Sequence, residues 1–219
     1  MTPLTRASFV RHSICAIAVI LSSALPVLAG PPLICHPFDI GTARSLPFGD
    51  TGAGWRGWQA TVASYDRTRL VDDTLSLLTP ETPVLVRMET LRRASAYAVE
   101  DKALASRLLR AIEARAPKHP ASASEALALF DAGYLIETFR QLGAHGRAPA
   151  NAIEGKDGYA MVRAAMAARP DDASMQFAAA LITATPERRA AHAQHLEKAR
   201  AASRADALLA RNVATHFSN

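Results

Sequence analysis

The chain has 219 residues, 49% of them hydrophobic and 21% charged, with 25 Lys and Arg against 20 Asp and Glu. The formal charge of +5 is small and the acids are interspersed, which argues against nucleic acid or an anionic membrane as partner. Of the two cysteines only Cys35 is expected to survive processing, and one cysteine cannot form an internal disulfide, so stability must come from packing.

The N-terminus reads as a secretory signal peptide over residues 1–29. "MTPLTRASFVRHS" carries Arg6 and Arg11 and no acid, the apolar run "ICAIAVILSSALPVLA" follows, and Val27-Leu28-Ala29 puts small residues where a signal peptidase cuts. The alternative is an uncleaved anchor, which the short apolar core, broken by Ser22, Ser23 and Pro26, disfavours. There is no twin arginine, and Cys15 lacks a lipoprotein-type approach. Cleavage after Ala29 leaves 219 − 29 = 190 residues, enough for one domain with a real core, and lowers the charge from +5 to +3 by removing two arginines. No later stretch is apolar enough to span a bilayer, so the expected mature protein is soluble and periplasmic or secreted.

Residues 30–60 form the second segment. "GPPLICHPFDIGTARSLPFGDTGAGWRGW" is too rich in Pro and Gly for a long helix. Ile34, Phe38, Ile40, Leu46 and Phe48 are too apolar for a disordered tail. The expectation is an ordered, extended arm laid against the body. The order His36-Pro37 biases His36 toward extended backbone. Alternation then sends Cys35 and His36 to opposite sides, with Ile34 on the side of His36. Cys35 is expected to be buried, and Asp39 to accept backbone hydrogen bonds at the turn made by Gly41.

Residues 61–219 form the third segment and read as helical. Apolar residues recur at spacings of three and four, as in Val84, Met88, Leu91 and Ala98, or Leu104, Leu108 and Ile112. Eight helices are predicted, near 67–78, 83–98, 101–115, 123–142, 157–169, 172–184, 186–202 and 204–217. Thr82-Pro83 and Thr185-Pro186 read as caps with proline in the first turn, and Ser122 with Glu125 as a capping box. Short connections imply antiparallel neighbours. The fourth helix is apolar over more than half its girth, with Leu127, Phe130 and Tyr134 beside Leu129, Gly133 and Ile136, so it belongs in a middle layer. The fold class is all-α: stacked antiparallel hairpins, as a solenoid or a compact bundle, with the extended arm.

Two stretches align at an offset of 34 residues. In "GYAMVRAAMAARPDDASMQFAAAL" and "HAQHLEKARAASRADALLARNVAT", Gly158, Val162, Ala165 and Pro170 face His192, Leu196, Ala199 and Arg204. Small, bulky and small residues at these offsets resemble the second helix of a tetratricopeptide repeat. The resemblance runs from Gly158 to Phe217. His192 stands where a small residue is usual, the closing proline is missing from the second copy, and the characteristic positions of the first repeat helix are missing. It implies a right-handed solenoid with a concave groove.

Candidate chemistry is sparse. Cys35 and His36 offer thiolate and imidazole to a soft or borderline metal, and His192 and His195, three apart on one helical face, would add ligands if the arm reached them. A catalytic thiol at Cys35 would need a distant histidine: His119, His145, His192, His195 or His216. The bland alternative is a buried free cysteine and surface histidines. There is no C-x-x-C, H-E-x-x-H, G-x-S-x-G or phosphate-binding Gly loop, and no catalytic residue is assigned. Arg92 and Arg93, on one helix with Arg87 and Glu89, would clamp a carboxylate-bearing peptide or glycan, or else lie on a solvated face with surface salt bridges. Trp55 and Trp58, with Tyr65, would stack on a sugar or peptide, or anchor the arm. The expected function is an exported helical scaffold that binds a protein, a peptide or a cell-envelope component, with no cofactor. The alternative is a small metal- or thiol-dependent protein centred on Cys35 and His36.

Overall fold

The computed structural model describes residues 32–49, 60–144 and 150–217. The expected signal peptide, Trp55, Trp58 and His145 lie outside these residues. The described residues contain eight α-helices and no strand: α1 (Leu70–Leu77), α2 (Val84–Ala98), α3 (Lys102–Glu113), α4 (Ala123–Ala144), α5 (Gly158–Ala168), α6 (Ala173–Ile182), α7 (Arg189–Ser203) and α8 (Ala207–His216). None is long and apolar enough to cross a membrane.

The predicted helices fall where the periodicity places them, and the boundaries differ for local reasons. Arg67–Arg69 and Pro186–Arg188 are 3-10 turns leading into α1 and α7. Aspartate carboxylates open four helices: Asp101, Asp157, Asp172 and Asp206 accept from the backbone N–H of Leu104, Ala160, Met175 and Leu209. Each satisfies a donor that the first turn leaves unpaired. Ser122 Oγ accepts from Glu125 N, while the Glu125 carboxylate reaches back to Ala121 N, so the expected box forms one residue longer. Thr82 does not cap α2. Pro83 holds that position in extended backbone, and Thr82 Oγ1 donates to Leu77 O, where it ties off the end of α1.

The helices stack as antiparallel hairpins with an inner set. The helices α2, α4 and α6 all pack on one another. Around them lie α1 and α3 against α2, α5 between α4 and α6, and α7 against α6, with α8 against α7. Every residue of α2 except Arg93 is buried, as are Phe177–Ile182 of α6. By contrast α7 buries only Ala199, because one of its sides meets α6 and α8 while the other faces solvent. The core runs through the inner helices, from Leu85 and Leu91 through Phe130, Tyr134 and Phe139 to Phe177 and Leu181.

Two devices fix α4 against its neighbours. Gly133 and Gly158 cross back to back, and a methyl on either would collide with the carbonyl oxygen of the other. This explains the small residue at the head of α5, where Val162 and Ala165 below it are fully buried. On the other side of α4, Arg87 of α2 donates to Asp131 Oδ2 at 2.5 Å. Its remaining nitrogens donate to the carbonyls of Thr82 and Thr79 at the turn before α2. Both side chains are buried, and Asp131 Oδ1 has no partner. Burial pushes the Asp131 carboxyl up to about 7, against the pull of Arg87 and Arg115.

Candidate functional site

Beneath the arm, a fully buried carboxylate and guanidinium meet the backbone of a non-helical segment. Glu89, Arg92 and Arg93 sit at i, i+3 and i+4 on α2, a spacing that puts both guanidiniums beside one carboxylate. Glu89 and Arg92 are both 0% exposed. Arg92 Nε donates to Glu89 Oε2 at 2.7 Å and its Nη2 to Oε1 at 2.8 Å, a fork pairing. Arg93 Nε donates to Oε1 at 2.7 Å. The carboxylate's last bond comes from the arm, from Phe38 N at 3.0 Å.

The arginines in turn hold arm carbonyls. Arg92 Nη1 donates to Ile34 O at 3.3 Å and Arg93 Nη1 to Leu46 O at 2.6 Å. Both guanidiniums cover the Phe48 ring, at 4.9 and 5.6 Å. Further along α2, Thr90 Oγ1 meets Ser45 Oγ at 3.0 Å, and Tyr97 OH donates to Pro47 O at 2.7 Å while accepting from Val62 N.

Other helices of the same face read the rest of the arm. On α4, Gln141 Oε1 accepts from Leu33 N at 3.0 Å while its Nε2 donates to Leu181 O of α6. On α8, Asn212 treats Asp39 as a neighbouring strand would: Oδ1 accepts from Asp39 N at 2.9 Å and Nδ2 donates to Asp39 O at 2.8 Å. Arg211 Nε donates to the Asp39 carboxylate at 2.6 Å, and Gly41 N donates to it at 2.9 Å, as the turn at Gly41 was expected to allow. Those two bonds hold the Asp39 carboxyl below the usual range. Gly41 has φ +61°, which glycine adopts without strain.

Apolar side chains plug the gaps. Leu33, Ile34, Cys35, Phe38 and Leu46 are buried. Phe38 stands edge-on to Phe177 and to His216, at 6.0 and 4.7 Å between ring centres. His216 stacks on Phe177 at 5.5 Å and lies 5.8 Å from the His36 ring. It is 6% exposed, and neither ring nitrogen has a partner. Burial, helped by His36 and Arg92, lowers its pKa to about 3, so the ring is neutral.

Cys35 is buried as expected, but not by alternation. Residues 32–36 turn, so Leu33, Ile34 and Cys35 all face inward and His36 is half-buried. Burial raises the thiol pKa, against Arg92, which is the reverse of what a nucleophilic cysteine needs. The expected surface face for Arg92 is also overturned. It is enclosed because α2 is covered by the arm on the side where solvent was expected. The carboxylate that both arginines share is Glu89 of their own helix, and their remaining bonds go to carbonyls of the chain's own arm. His192 and His195 stay away from the arm: His192 Nδ1 pairs with Ala180 O, and His195 lies between Tyr159 OH and Gln176 Oε1, each at 2.8 Å. Among the described residues no three of His, Cys, Asp and Glu are placed to share a metal ion.

Set beside known proteins, the chain matches no family model, no curated protein and no solved structure. The functional reading therefore rests on this geometry. Sequence reasoning missed Gln141, Asn212 and Tyr97 as arm-holding residues. Their types are ordinary on helices, and only an amide or phenol at the edge of an apolar helix hints at such a role.

Proposed function

We propose that the protein is an exported, tetratricopeptide-like helical scaffold that binds an extended segment of a protein or another cell-envelope component. One observation carries this reading. The face made by α2, α4, α6 and α8 already accommodates a non-helical segment through that segment's backbone, which is how an extended peptide is recognised independently of most of its side chains. The 34-residue echo between α5 and α7 supports the repeat reading, since Ala165 and Ala199 are both fully buried at corresponding positions.

The test is photo-crosslinking in the intact cell envelope. A photoreactive residue is placed at Arg211 or Thr215 of α8, exposed on the rim of the arm-binding face, and in parallel at Ala164 or Ala193, on the exposed outer sides of α5 and α7. A discrete adduct with another protein or envelope polymer at any of these sites is the expected result. Absence of adducts at all four, with the protein exported and folded, would remove the scaffold reading.

A further inference from the structure

We propose that the inner face of α2, α4 and α8 is a receptor for an extended peptide donated by a different protein, and that the chain's own arm is the resident competitor. The proposal rests on the scaffold reading above and specifies what the scaffold holds and how access is controlled.

Most of the arm's polar contacts run through its backbone. The N–H groups of Leu33, Phe38 and Asp39 and the carbonyls of Ile34, Asp39, Leu46 and Pro47 are all bonded by side chains of the body. Any segment of the same trace can make these bonds. Side-chain selection comes from the buried plugs Leu33, Ile34, Cys35, Phe38 and Leu46, of which Ile34 and Phe38 stand four residues apart, and from the acid after Phe38, which meets Arg211 at the half-exposed rim. No disulfide ties the described arm residues to the body, since Cys35 is free, and the chain itself is the tether. Between the arm's last described residue and the resumption at Ala60 runs one backbone bond, from Gly49 N to Ala60 O.

His216 is the point at which a different occupant would gain contacts that the resident lacks. Its ring is nine-tenths buried directly under Phe38, and both nitrogens lack partners. Native proteins rarely leave such groups unpaired. A segment with a hydroxyl-bearing aromatic in place of Phe38 would bring a hydroxyl beside these two unpaired nitrogens. The arm of a second copy would not, because it brings the same phenylalanine and competes with a tethered arm of high effective concentration. The geometry therefore favours a foreign segment: a bulky aliphatic residue, a tyrosine four places on, and an acid directly after it.

The experiment uses the full mature chain with a protease site inserted between Gly52 and Ala53. After cutting, the arm is held only by its contacts. Fluorescent peptides covering 32–48 are then titrated by anisotropy, with helicity followed at 222 nm. The expected result is saturable exchange without loss of helix. The peptide carrying Phe38→Tyr should bind about fivefold more tightly than the parent, roughly one added hydrogen bond. Ile34→Ala should weaken either peptide by at least about tenfold. The tyrosine preference should vanish in protein carrying His216→Phe or His216→Leu. Failure of any peptide to enter the cut protein, or loss of helix as the arm leaves, would overturn the proposal and make the arm a permanent core element. Equal affinity of the Tyr and Phe peptides, with concentration-dependent dimers of the uncut chain, would overturn the foreign donor in favour of a second copy. Crosslinks confined to Ala164 or Ala193 would leave the scaffold standing with this receptor assignment gone.

Discussion

At the scale of single residues, His216 and Cys35 carry the sharpest expectations. The pKa of His216 in the fold, about 3, lies below its ordinary value of 6.5. The unfolded chain therefore takes up a proton between those limits that the folded chain refuses. The stabilisation linked to this group is complete above pH 6.5 and is lost as pH falls toward 3, at up to about 1.4 kcal/mol per pH unit. Asp131 is shifted the other way, its folded carboxyl titrating near 7, so its contribution declines as pH rises from about 4 to 7 and partly masks the histidine. The difference between wild type and His216→Phe isolates the effect. Urea unfolding at pH 7.5 and at pH 5 should show the variant losing less stability on acidification, and an identical loss in both would contradict a neutral, buried ring. Cys35, enclosed and apolar, should react with iodoacetamide near neutral pH far more slowly than a free thiol. Labelling at the free-thiol rate, abolished by His36→Ala, would restore the reactive cysteine–histidine pair.

Elements are held by contacts that differ in how visible they are beforehand. Helix positions follow from apolar spacing, a local property, and the residues expected to centre α4 do so: Phe130 is fully buried and Leu129 nearly so. Phe130→Ala should cost about 3–5 kcal/mol in denaturant unfolding, and a loss under about half a kcal/mol would be a surface value. The Gly133–Gly158 crossing is stiffer, because the obstacle is backbone. Gly133→Ala should destabilise by about 1–3 kcal/mol despite alanine's better helix propensity, whereas a stabilised variant would mean that the helices separate freely. The buried charges were hardest to anticipate. Arg92 at i+3 from Glu89 looks the same in sequence whether water or protein covers it. What covers it is Ile34, 58 residues away, and no local pattern reports that. Arg87 was equally opaque, since its partner Asp131 sits 44 residues on, inside an otherwise apolar helix. Removing one member leaves the other charge buried alone. Asp131→Leu should cost about 3–5 kcal/mol, and adding Arg87→Met should recover much of it. Equal stability of the single and double variants would show that the ion pair does not couple α2 to α4.

For the molecule as a whole, the same asymmetry recurs: stacked helices were legible, while the closure of the arm over them was legible only as a need for apolar cover. Export is tested by sequencing the N-terminus of protein recovered outside the cytoplasm, where Gly30 is expected and Met1 in a membrane fraction would point to an anchor. The closure also imposes an order of events. Asp39 pairs with Asn212, 173 residues later, and Phe38 rests on His216. A chain emerging from a ribosome or a translocation pore N-terminus first makes the arm early and its last contacts near the end. Until α8 arrives, the arm lacks its Asn212 and His216 partners. The arm's closure therefore splits into two stages: its bonds to Glu89, Arg92 and Gln141 are open to it once α2 and α4 exist, while those to α8 wait for residues made long afterwards.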